Sequence, residues 1–140
     1  MSSLKVLVDS REKTPYKFPC RTETTKLEAG DYTVAGYEDL IAIERKSHSD
    51  IYRCLSSDLS RFKKQIRKLS KRAIAFILID TSLSAFLLGH FYSSLRGEEA
   101  YHRLLSLMVD FPNVHFMFVE NRGAEICLKI LCLAVQRMQR

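Results

Sequence analysis

Residues 73–79, Ala-Ile-Ala-Phe-Ile-Leu-Ile, form an unbroken apolar run closed by Asp80. Such a run leaves no side for water, so as a strand it must be covered on both faces. It belongs inside a sheet that lies between layers of helices. The run is also far too short for a membrane span, and no apolar stretch in the chain approaches the roughly 18 residues that one needs. The remaining segments must therefore supply neighbouring strands and covering helices.

The rest of the sequence offers both. Leu4 to Asp9 reads as a strand running into an acid, and Val114 to Val119 as another. Residues 40–46 alternate: Leu40, Ala42, Glu44 and Lys46 project one way, Ile41, Ile43 and Arg45 the other. Lys26 to Ala35 reads as short extended pieces around Gly30-Asp31, with a turn near Gly36. Ser10 to Thr25, with Pro15 and Pro19, reads as a loop. Ser47 fits a helix N-cap, with Asp50 three residues on. Leu59, Phe62, Ile66 and Leu69 then form a helical stripe. Glu98 to Asp110 is helical by pattern and closed by Pro112; a last helix runs from about Arg122 to Met138, with Ile126, Ile130, Leu131 and Val135 inward. Thr81 to Ser94 is apolar yet contains Gly89, and its periodicity assigns no element. This order predicts an α/β fold, a central mixed β-sheet flanked by helices. With 140 residues, 46% hydrophobic and 27% charged, the chain can bury one core. That composition excludes a disordered or low-complexity chain. Residues 1–140 read as one domain without repeat or linker.

The charge is concentrated. The chain carries +6, and the segment from Arg53 to Arg72 holds eight cations against the single acid Asp58, a local net of +7. Arg61, Lys64 and Lys68 fall opposite the apolar stripe, so the cations line an exposed helix face. One cationic segment in an otherwise near-neutral domain suits a polyanion, nucleic acid first, or else a merely solvated face.

The acids give the chemistry. Glu44 and Lys46 share one strand face, and Asp31 stands beside Gly30, whose missing side chain permits a sharp bend. Asp31 and Glu44 can converge on a hard divalent cation, because Mg²⁺ takes few carboxylates plus waters and phosphate oxygens. A lysine beside that site can act on the attacking water or on charge developing at phosphate. Together these residues are a minimal kit for metal-assisted phosphodiester hydrolysis. Other chemistries lack their patterns. No zinc spacing, Gly-x-Ser-x-Gly elbow or phosphate-binding glycine pattern is present. The four cysteines (20, 54, 127, 132) read as reduced thiols, mostly buried, since the N-terminus lacks a signal-peptide shape.

Gly30-Asp31 followed by Glu44-Arg45-Lys46-Ser47-His48-Ser49-Asp50 resembles the GDx(n)ERKxxxD signature of the XPF family of structure-specific endonucleases. Val8-Asp9-Ser10-Arg11-Glu12 is similar to the family's V-D-x-R-E element, and Arg61-Phe62-x-x-Gln65 to its basic helix. The resemblance runs from about Leu4 to the C-terminus and implies a restriction-endonuclease-like core. It implies DNA cleavage with Mg²⁺ or Mn²⁺ at branched, flap or junction DNA, in repair, recombination or replication, leaving 5′-phosphate and 3′-hydroxyl ends. By that resemblance Asp31, Glu44 and Asp9 are the metal-site acids, and Lys46 acts on water or phosphate. Arg11 and Arg45 touch phosphate or hold the carboxylates. Glu12 and Asp50 are motif members of open role; Glu12 can pair with Arg11 or Arg45, and Asp50 can simply cap a helix. Arg61, Lys64, Gln65, Lys68 and Lys71 are the DNA-binding set.

Many family members append helix-hairpin-helix motifs, and none follows here; the implied object is a compact stand-alone bacterial or phage-like member, or an isolated nuclease domain. Its expected location is intracellular, cytoplasmic if bacterial or phage and nuclear if a eukaryotic fragment, with no membrane and no organic cofactor. Phe86 to Tyr92 reads as core packing or as a surface for a partner, a second copy or a related subunit. The alternative function is a catalytically silent DNA-binding or scaffolding partner of an active nuclease; a third keeps the chemistry on RNA or on unbranched duplex. All motif acids are present, which favours the enzyme.

Overall fold

A computed structural model describes residues 4–139; residues 1–3, which open the N-terminus read above as leaderless, and Arg140 lie outside it. The apolar run is strand β5 (Ile74–Asp80). It pairs in parallel on one side with β4 (Ile41–Ser47) and on the other with β6 (Val114–Phe118). Beyond β4 the sheet turns antiparallel through β3 (Tyr32–Val34) and β1 (Lys5–Asp9), and β2 (Arg21–Thr25) closes it, parallel to β1. The six-stranded order is β2-β1-β3-β4-β5-β6. Strand β2 corrects the loop expected over residues 10–25. Its residues Arg-Thr-Glu-Thr-Thr are almost all exposed, so no burial pattern marked it; β-branched threonines and one free sheet edge suffice.

Helices α1 (His48–Cys54), α2 (Leu59–Ser70), α3 (Leu83–Leu87) and α4 (Gly97–Asp110) cover one face, and α5 (Gly123–Met138) covers the other. The alternation of β4 is realised in this sandwich. Ala42 packs into the core under α1, α2 and α4, while Ile41 and Ile43 pack into the core under α5. Within β5, Ala75, Ile77 and Ile79 serve the first core and Leu78 the second, as a strand covered on both faces requires. Helix α2 buries Phe62, Ile66 and Leu69, each contributing roughly 1.5–3 kcal/mol of burial, with Leu59 half-buried at its start. On α5 the fully buried positions are Cys127, Leu131, Ala134 and Val135, and Ile126 and Ile130 are half-buried flanks. The four cysteines are free; Cys54 and Cys127 are buried, Cys20 and Cys132 partly so. Among the described residues no helix is long and apolar enough to cross a membrane.

Candidate active site

Gly30 sets the position of Asp31. Its φ is +75°, and a Cβ there would stand 3.0 Å from the Ile43 carbonyl oxygen, so only glycine fits this bend against β4. Asp31 is then pinned between strands: its N–H donates to the Ile43 carbonyl at 2.8 Å, and its carbonyl accepts from the Asp9 N–H at 2.8 Å. Its carboxylate accepts one bond, from the Arg45 backbone N–H at 2.8 Å. Burial and the neighbouring Glu44 charge push the Asp31 carboxyl up to about 8.

Glu44 lies on the same face of β4 as Ala42, the one that α1 to α4 cover, and is 9% exposed. Burial raises its pKa, against the opposing pull of Lys46. Lys46, two residues on and on the same face, places Nζ 3.1 Å from Glu44 Oε2 and 3.3 Å from Gln65 Oε1. Burial works against the Lys46 charge, but Glu44 outweighs it and holds the ammonium above its ordinary value.

Asp9, Arg11, Asp31 and Glu44 line one cavity of about 240 Å³ with Gln65 and Lys68 of α2. Asp9 is 2% exposed and its oxygens are taken. Oδ1 accepts from the Leu27 N–H at 2.8 Å and Arg11 Nη2 at 3.1 Å, and Oδ2 accepts from Arg11 Nε at 2.9 Å. Burial raises its pKa, yet these bonds outweigh burial and leave it low. Asp9 thus braces Arg11 at the wall and ties it to the Leu27 backbone. Glu12 forms no pair with Arg11 or Arg45; it accepts from the Tyr32 hydroxyl at 3.3 Å.

Arg45 faces the other side of the sheet, as alternation demands. Its Nε donates to Asp80 Oδ2 at 2.6 Å, Nη1 donates to the Thr14 carbonyl at 2.6 Å, and the guanidinium lies 3.9 Å from the Tyr16 ring centroid. Tyr16 donates to Asp80 Oδ1 at 2.6 Å. Its hydroxyl sits where a Cβ on Gly123 would stand only 2.1 Å away, so α5 can approach only through a glycine. The Arg45 side chain therefore holds the Asp80 carboxylate, and only its backbone N–H reaches Asp31. Tyr16 and Gly123 were not singled out from sequence, and Asp80 only as the end of the apolar run, because their proximity depends on pairing β4 with β5 and on the docking of α5.

The remaining candidates divide. Ser47 caps α1 by accepting from the Asp50 N–H at 3.0 Å, so Asp50 supplies the capped donor, and its carboxylate pairs with Arg53. Asp50, Lys46, Arg61 and Gln65 line a second cavity next to the first. Lys64 and Lys71 are exposed on and just after α2 and line neither cavity. Glu28 joins the wall of the acidic cavity; nothing in its local sequence marked it.

The arrangement suits a cation held by few protein ligands. Among the described residues no three His, Cys, Asp or Glu side chains converge to enclose a metal on their own. Asp31 is a half-buried and Glu44 a buried carboxylate, and no ion pair reaches Asp31 among the described residues. Two such groups repel unless a proton or a cation lies between them. A two-carboxylate site completed by water and phosphate oxygens fits Mg²⁺.

Among curated proteins no sequence relative matches. Among solved structures, XPF from Aeropyrum pernix matches with a TM-score of 0.73 at 22% identity, over 93% of this chain and 61% of that one. XPF from Aeropyrum pernix in complex with DNA matches with a TM-score of 0.73 at 21% identity, over 96% of this chain and 66% of that one. The chain thus spans less than two-thirds of either, and at this identity the likeness establishes a shared fold. The family follows from the sequence itself. The model of the ERCC4 domain matches residues 8–125, from the end of β1 through Asp31 and Glu44 to the first turn of α5, and the chain belongs to this XPF-type nuclease-domain family.

Proposed function

We propose that this chain is a Mg²⁺- or Mn²⁺-dependent endodeoxyribonuclease that hydrolyses phosphodiester bonds, in branched, flap or junction DNA. The observation that carries it is the carboxylate pair Asp31 and Glu44 in one cavity whose other wall is the cationic helix α2, with Lys46 against Glu44. The solved DNA complex of the Aeropyrum relative supports DNA as the polyanion. A divalent cation held there would polarise a phosphoryl oxygen and acidify a bound water. Asp31, just before β3, and Glu44 on β4 would hold it, from backbone fixed by the Asp31 N–H bond to the Ile43 carbonyl. The Lys46 ammonium, steadied by Glu44 and Gln65, offers its free donors to phosphate oxygens. Lys68 and Arg11, at the cavity rim, orient the DNA backbone. Asp9 keeps Arg11 in place, and Arg45 ties β4 to the loop before β2.

The test is cleavage of labelled duplex, flap, fork and four-way-junction DNA with and without Mn²⁺. Asp31→Asn and Glu44→Gln keep shape and remove the anionic oxygens. Both are expected to lose cleavage and the calorimetric heat of Mn²⁺ binding, while Lys46→Ala loses cleavage and keeps much of that heat. Metal-free DNA affinity is expected to survive or rise in the carboxylate variants. Carboxylate variants that cut as fast as the parent would refute the assignment.

A further inference from the structure

We propose that the loop between α3 and α4 is a stacking platform for unpaired nucleobases, joined through His48 to the end of the strand that carries Glu44 and Lys46. The inference rests on the DNA reading above and adds to it the feature of the DNA that is engaged. Leu88, Phe91 and Tyr92 are 89%, 95% and 93% exposed, whereas every other Phe and Tyr in the chain is buried or half-buried. The expected apolar stretch therefore splits: Phe86 is wholly buried and anchors α3, and the rings after it stand in water. Their placement is not random. His48 opens α1 directly after the strand that carries Glu44 and Lys46, and its Nε2 lies 3.1 Å from the Gly89 carbonyl. From His48 a row of rings leads outward. His48 and His90 centroids are 5.5 Å apart, His90 and Tyr92 6.0 Å, and Tyr92 and Phe91 5.9 Å. The row begins two residues past Lys46 and ends in solvent.

Chemistry selects the occupant. No carboxylate occurs from Thr81 to Gly97 and Arg96 is exposed, so the stretch that carries the rings holds a cation and no acid; Glu98 joins the loop's lining only at its α4 end. Three side chains are too little surface for a stable protein interface, which takes about 800 Å² per partner. Two exposed rings are enough to stack one or two bases, and every base offers a π-face. Paired bases keep their faces covered within the duplex, so the platform engages unpaired ones.

The experiment uses the full chain with EDTA, so that nothing is cut. A forked duplex with 2-aminopurine in its unpaired arm is compared with a blunt duplex of equal length, for the parent and for the double variant Phe91→Ala, Tyr92→Ala. The parent is expected to quench 2-aminopurine, and the variant not to. Fork affinity should fall about tenfold or more. Blunt-duplex affinity, set by phosphate contacts, should hold, as should the thermal midpoint, since neither ring packs in the core. Equal losses on both DNAs, or an unchanged fork affinity, would overturn the platform. So would a variant whose only change is from dimer to monomer in sedimentation, which would give the loop to a second copy. A parent that binds neither DNA would sink the nuclease reading as well, and is thereby distinguished from failure of the platform alone.

Discussion

Arg45 and Lys46 are adjacent and do different work because a strand alternates. Lys46 shares the face of Glu44; Arg45 shares the face of Ile41 and Ile43 and closes a network with Asp80, Tyr16 and the Thr14 carbonyl. Both partners of the ion pair are mostly buried, so losing either leaves a stranded charge. Arg45→Ala and Asp80→Asn are each expected to cost on the order of 1.5–3 kcal/mol by urea denaturation. A double-mutant cycle should give a total well below the sum, because both remove one interaction. Additive losses would mean that Arg45 does not act through Asp80. The alternation that places Arg45 away from the acids was already in the sequence, and the motif pulled its reading toward phosphate or the carboxylates of the site. Its partner was not legible: Asp80 comes into reach only through the parallel register that sets Arg45 beside Leu78 and Ser47 beside Asp80. Asp31 and Glu44 were legible because a glycine-acid pair and a strand parity are local signals. That Arg11 holds a carboxylate was one of the two readings of the motif; that Asp9 also accepts from the Leu27 N–H was not legible, since Leu27 lies eighteen residues away.

Elements with a strong period, and the unbroken apolar run of β5, were read to within a residue or so, and β2 and α3, which have neither signal, were missed. Helix α2 shows its apolar stripe and, opposite it, exposed Arg61, Lys64 and Lys68. Replacing these three with Ala should flatten the slope of log K against log[salt] on duplex DNA by roughly two to three units, at about 0.9 per cation. An unchanged slope would place the duplex elsewhere. Strand β2 and helix α3 escaped for opposite reasons: the first buries almost nothing, and the second is five residues long and nearly all apolar. The join between α1 and the α3–α4 loop carries a pH signature. His48 meets the Gly89 carbonyl, the Thr81 hydroxyl, the rings of Tyr52 and Phe86, and His90. Burial lowers its pKa, and the His90 charge lowers it further. A depressed histidine favours the fold above its unfolded value near 6.5, and that stability is lost as pH falls through the folded value. The thermal midpoint of the parent should therefore drop between about pH 7 and pH 5, and drop less in His48→Gln. Identical profiles for both proteins would exclude His48 as the source.

At the scale of the molecule the two sheet edges differ. Strand β2 is guarded by exposed Arg21 and Glu23, and Glu23 is paired with Lys5 at 2.7 Å, a polar edge that resists pairing with another chain. Strand β6 reads Val-His-Phe-Met-Phe and has β5 on one side alone among the described residues. Beside it, on α4, Val109 is 78% exposed, and Met117 of β6 itself is 37% exposed. The partner surface that the sequence suggested in Phe86 to Tyr92 thus has a broader alternative at this end of the sheet, where an uncovered apolar edge and a helix lie together. A second copy of the chain, or a related subunit, is expected there. Met117 and Val109 belong to neither cavity and lie outside the ring row, so charge placed on them disturbs association before it disturbs DNA binding. Sedimentation of the parent at micromolar concentration should show a dimer, and Val109→Lys with Met117→Lys a monomer that still binds forked DNA. A parent that sediments cleanly as a monomer and cuts DNA at the same concentration would count decisively against the paired molecule, and would make one acidic cavity, one basic helix and one ring row the whole machinery of a single cut.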